Sequence, residues 1–248
     1  MHKALITHRL LNIYLPLSTI FCKKRLIYRY QQKKLTNFGL YLWRNLVMSN
    51  IWLSIAPIFH LPKIHQLPLY MNYKRKYIVP LDDSRDNSIN YLLAILYDAR
   101  ATTLQRIMGI GTDELHWQYA EGWNTISCLL SHIISVSHFF QIYFIDKREM
   151  TVAEEAAIMP GLDMGDYIPQ LITGEPIENY IAQLDASMAT MVEKIKALST
   201  EELYRRIDGY DEETGCNLAW VLYHVAEDEV HHRGQISIIR KLYKATNK

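Results

Sequence analysis

The stretch HVAEDEVHHRGQI, His224 to Ile236, gathers three histidines and three acids within thirteen residues. On a helix, His224, Asp228 and His232 fall at i, i+4 and i+8 and share one face. Glu227 and His231 form a parallel pair turned by about 100°. Ligands one helical turn apart converge at their tips and can grip one divalent ion, the spacing that the H-E-x-x-H zinc helix uses. Two ligands from one helix are completed by a third from another element, and the apolar segment upstream offers His132 and His138. These lie six residues apart, about 240° around a helix, so they cannot both face one ion. The same residues have a plainer meaning. A helix face rich in Glu, Asp and His is often solvated and laced with i, i+4 ion pairs. A lone histidine in an apolar helix is more often a satisfied core residue.

Four stretches carry the apolar spacing of helices. The first runs from about Ser88 to Met108, with Gly109 and Gly111 at its end. The second runs from Asn124, a suitable N-cap, to Ile145. It holds no Asp, Glu, Lys or Arg between Glu121 and Asp146, which predicts burial on most sides. The third spans Ile177 to Leu198 and the fourth Asn217 to Tyr243. Between the second and third lies a connection over 147–176. Thr151 and Glu154 have capping-box spacing for one short helix there, and Pro160, Gly161, Gly165 and Gly174 break up the rest. A connection of this length is often functional, for example as a lid. Ser199 and Glu202 repeat the capping-box spacing. Gly234, inside the fourth helix at a cost of ~1 kcal/mol relative to Ala, predicts a close packing contact or an approach to a site. With no strand pattern, this argues for an all-α four-helix bundle.

Charge divides the chain. Residues 1–81 contain no Asp or Glu and 13 of the 27 Lys and Arg, so they carry +13, while the remaining 14 bases face all 26 acids and leave −12. Residues 1–70 are read as a basic, acid-free extension and 71–248 as the bundle domain. The extension interrupts its apolar run at Pro16 and shows no signal-peptide cleavage pattern. It is read as translated sequence upstream of an initiator at Met71, with a basic membrane-surface segment as the alternative. The acidic bundle opposes nucleic-acid binding. Cys22, Cys128 and Cys216 form no C-x-x-C pair and suit a reducing compartment, giving a cytoplasmic expectation with no membrane role for the bundle. Cys128, four residues before His132, is read as a small buried apolar residue.

The segments WVLYHVAEDEVHHRGQISIIRKL (Trp220 to Leu242) and GWNTISCLLSHIISVSHFF (Gly122 to Phe140) resemble the last and second helices of the DinB/YfiT-like family. The resemblance covers about 85–248. It implies a four-helix bundle holding one divalent metal through three side chains, which by position are His132, Asp228 and His232. The family commonly has His where this chain has Asp228. A carboxylate occurs there in some relatives, including thiol-dependent isomerases. Two histidines and a carboxylate suit Zn, Ni, Fe, Mn or Co. His224 becomes a candidate to hold a ligand by hydrogen bond, and Arg233 a candidate for a structural ion pair. The function implied is a metal-dependent transferase or hydrolase that uses a low-molecular-weight thiol on a small-molecule substrate, in stress or detoxification, as a homodimer. The alternative is a non-catalytic metal-binding structural or dimerisation bundle.

Overall fold

The computed structural model describes residues 87–207 and 215–247. The acid-free extension, Met71 and Cys22 lie outside them. The described part is helical, with one two-residue antiparallel ladder pairing Arg206 with Asn217 and Ile207 with Cys216.

In chain order the α-helices are α1 (Ser88–Ile107), α2 (Thr112–His116), α3 (Ile126–Phe140), α4 (Val152–Asp163), α5 (Ile168–Leu171), α6 (Ile177–Lys196), α7 (Thr200–Leu203) and α8 (Leu218–Thr246). The long ones, α1, α3, α6 and α8, match the four predicted helices. They form a ring in which α1 packs on α8, α8 on α3, α3 on α6 and α6 on α1.

Side-chain bonds give the helix directions. Arg100 meets Glu229, and Arg240 meets the Arg106 carbonyl, so α1 and α8 run parallel. His132 meets Asp228 and Phe140 lies beside His224, so α3 and α8 run antiparallel. Arg100 also reaches the Leu184 carbonyl of α6, while Gln141 at the end of α3 donates to the Ser187 carbonyl and Tyr180 bonds Ser127 near the start of α3. The α3–α6 pair is therefore parallel. Successive parallel helices require a connection that travels back along the bundle, which is why the chain spends the span 146–176 there.

That connection is more ordered than its sequence suggests. Thr151 caps α4 with a full capping box to Glu154. The helix then continues through Pro160 and Gly161 to Asp163 and ends where Met164 and Gly165 take positive φ of 51° and 41°. Pro160 sits near the C-terminal end, where its missing N–H removes one backbone bond and the helix has only three residues left to run. Ile158, Met159 and Leu162 are buried and α4 packs on α3, so the segment is a wall of the bundle rather than a free lid.

Every residue of α3 except Ser131 and His138 is buried. The stretch Ile126–Ile145, which continues α3 through a π turn at Gln141–Ile145, is long and apolar enough to cross a membrane by length and composition. Contact with α4, α6 and α8 accounts for that character, as expected of a helix covered on all sides. Its N-cap is Thr125, one residue after the expected Asn124; Thr125 Oγ1 accepts from the Cys128 amide at 3.1 Å. Asn217 caps α8 by accepting from the Trp220 amide at 2.9 Å. Leu129, Leu130, Leu184 and Ile236 are fully buried where the helices meet. Each such residue contributes about 1.5–3 kcal/mol.

Candidate metal centre

Burial of α3 carries His132 into the interior, where it is 1% exposed. The antiparallel packing of α8 sets Asp228 and His232, one turn apart, opposite it. His132 Nε2 lies 3.5 Å from Asp228 Oδ2, and His232 Nε2 lies 3.4 Å from Asp228 Oδ1. The imidazole rings stand edge to face, 4.6 Å between centroids. One ligand atom from each residue lies within 4.8 Å of the others. Donors about 2.1 Å from a common tetrahedral centre stand roughly 3.4 Å apart, and each imidazole stands at about that spacing from one of the two carboxylate oxygens.

Both imidazoles are turned for this role by bonds on their far side. His132 Nδ1 lies 2.7 Å from the Gly161 carbonyl, and His232 Nδ1 lies 2.9 Å from Gln235 Oε1. Carbonyl oxygens only accept, so each Nδ1 donates on the far side of its ring and each Nε2 faces Asp228, the position from which it would bind an ion. Burial pushes the Asp228 carboxyl up. Hydrogen bonds from His132 and His232, together with their charge, outweigh it and hold the group well below the usual carboxylate range. It is therefore a charged acceptor at neutral pH. Two nitrogens and one anionic oxygen, oriented and withdrawn from water, fit a divalent ion.

The outer contacts are where sequence reasoning fell short. His224 is buried on the ligand face as expected, but its Nδ1 donates to Glu227 at 2.8 Å and its ring stacks on Trp220, so its polar contact is with a residue outside the triad. Gly161 and Gln235 take the supporting positions instead. A backbone carbonyl leaves no side-chain signature, whereas Gln235, three residues after His232, is a signal the sequence did contain. His231 meets Gln235 rather than an ion. His138 lies apart from the triad, half buried, its pKa lowered by burial and then by nearby Lys194. Arg233 bonds the Thr102 hydroxyl of α1. Cys128 is fully buried, accepting from Thr125 Oγ1 at 3.1 Å.

Gly234 does not make the close contact its position suggested: a Cβ there would meet nothing within 4 Å, and nothing in the structure explains it. Close approach occurs at Gly161 instead. A Cβ on Gly161 would strike the Ser135 hydroxyl and lie 2.8 Å from the Ser131 carbonyl of α3. Gly161→Ala is thus expected to push α4 off α3 and carry the His132 acceptor with it. The expected cost is about 1–3 kcal/mol of stability and a ~10–100-fold loss in metal affinity. Denaturant unfolding and metal titration measure the two, and parent values for both would refute the packing argument.

No curated protein and no solved structure matches this chain. A family model does match, over residues 91–245, which takes in α3, α8 and every residue of the triad. The chain belongs to the mycothiol-S-transferase family, within the DinB/YfiT-like thiol transferases.

Proposed function

We propose that this protein is a metal-dependent S-transferase that joins a low-molecular-weight thiol to a small electrophilic substrate. The observation that carries the reading is the convergence of His132, Asp228 and His232, from two helices, inside the residues matched by the family. Those three residues would hold a divalent ion, with Zn, Ni, Fe, Mn and Co all suited to the donor set. When bound, such an ion supplies Lewis acidity that favours the thiolate over the thiol near neutral pH. Three protein ligands leave a position for that sulfur. Asp228 contributes the one negative charge of the set, and Gly161 and Gln235 fix the two imidazoles. The family's name points to mycothiol as the thiol. A cytoplasmic homodimer with a detoxification role belongs to the same proposal, its dimer checked by light scattering.

The test is calorimetric titration of mycothiol into the full chain, metal-free and after loading with each ion in turn. Binding that requires the ion, competes with added cyanide and releases a proton is the expected result. Absence of thiol binding to a fully loaded protein would sink the transferase reading and leave a non-catalytic metal-binding bundle.

A further inference from the structure

The outward face of α8 carries a stripe that packing within the bundle does not use. Tyr223, Glu227, Val230, Gly234, Ile238, Lys241 and Ala245 are all exposed, and they follow one another at intervals of 4, 3, 4, 4, 3 and 4 residues, which keeps them on one side of the helix. Three of them are large and apolar: Tyr223 is 46% exposed, Val230 43% and Ile238 52%. Scattered singly, such residues are ordinary on a surface, but aligned along one helix they form an apolar seam. Gly234 stands in the middle of the seam. It weakens the helix relative to Ala, and a Cβ there would meet nothing within 4 Å in its own chain. A glycine at that position is accounted for once a second backbone comes against it.

The seam is symmetric about Gly234. Val230 and Ile238 lie four residues before and after it, Glu227 and Lys241 seven, and Tyr223 and Ala245 eleven. A two-fold axis beside Gly234 lays a second α8 antiparallel on the first and brings each residue level with its counterpart. Val230 of each copy then meets Ile238 of the other, and Tyr223 lies over the small Ala245. Glu227 faces Lys241 at both ends, about 10 Å along the helix from the axis. Glu227 accepts from His224 and is still 49% exposed, so its carboxylate is open to an approaching ammonium. A parallel pair in register would instead set Glu227 against Glu227 and Lys241 against Lys241, and like-charge repulsion opposes that orientation. We propose that this face of α8 is where two copies of the chain pair, antiparallel and centred on Gly234. The proposal rests on the homodimer of the reading above and supplies its surface and orientation.

The experiment is sedimentation equilibrium of the full chain over a concentration series, with circular dichroism as the check on folding. The parent is compared with Glu227→Lys, Lys241→Glu, the double variant carrying both, and Gly234→Leu. The parent is expected to dimerise. Each single charge reversal creates two like-charge contacts across the two-fold and is expected to weaken the dimer by ~10–100-fold. The double variant restores opposite charges and is expected to return close to the parent constant. Gly234→Leu, a good helix former that fills the crossing point, is expected to leave folded monomers. A dimer that all four variants leave unchanged would overturn this surface and keep the homodimer. A double variant as weak as the single ones would overturn the antiparallel pairing. A parent that stays monomeric throughout would overturn both the surface and the homodimer.

Discussion

Alanine at His132, Asp228 or His232 is expected to reduce the metal content of the purified full chain from about one equivalent to near none, with the helical content retained. Each substitution leaves two donors and admits water to a buried site, so elemental analysis should show loss in all three variants rather than in one. A second measurement follows from linkage. An ion that binds only the folded state raises its stability by roughly 4 kcal/mol at a thousandfold excess over Kd. The parent should therefore melt higher with added metal, and the variants should not respond. The pH dependence has a definite sign. Asp228 has a depressed folded-state pKa, so the stability it contributes is present above the ordinary carboxylate value and is lost as pH falls through the folded value. Metal occupancy should fall in acid as protons take the imidazole positions. Equal metal content in the parent and in Asp228→Ala would remove the site.

Much of the His132, Asp228 and His232 cluster was legible beforehand because two of its members obey helix periodicity. Asp228 and His232 are spaced by one turn, and the uncharged run from Gly122 to Ile145 marks α3 as the helix that must be inside, with His132 on it. The choice of His132 over His138 came from family resemblance, since rotation around α3 excluded only their acting together. The supporting residues were less visible for physical reasons. Gly161 acts through its carbonyl, and its lack of a side chain serves contact with Ser131 and Ser135 on a helix far away in sequence. Pro160 and Gly161 read as breakers because local propensity disfavours them, yet tertiary packing against α3 holds the helix through both. Gly234 shows the converse, a local anomaly with no tertiary contact behind it. His224 was misassigned because sharing a helix face fixes direction but does not choose between partners at i+3 and i+4; Glu227 at i+3 received the bond.

The largest effect on stability is expected at Arg100 and Glu229, a pair with no periodic signature. Arg100 on α1 makes a two-pronged contact with Glu229 on α8, at 2.9 and 3.2 Å, and a further bond to the Leu184 carbonyl of α6. The side chains are 6% and 2% exposed. Truncating either partner strands a buried charge, which costs about 3–5 kcal/mol. For a domain of this size that corresponds to a fall in Tm of roughly 6–20 °C. Glu229→Ala and Arg100→Ala should both show it in thermal or denaturant unfolding. The double variant Arg100→Met with Glu229→Leu should recover most of the loss, because neither charge then remains to be solvated. A loss under ~1 kcal/mol in the single variants would mean that water reaches the pair and that it behaves as a surface contact. The placement of the pair gives the result a second use. Glu229 follows Asp228 on α8, so α8 is held to α1, and through Arg100 to α6, by one residue and faces α3 with the one before it. If that division holds, Glu229→Gln should lower the melting temperature while still binding metal wherever it is folded, whereas Asp228→Asn should lose metal as well as the stability its carboxylate contributes.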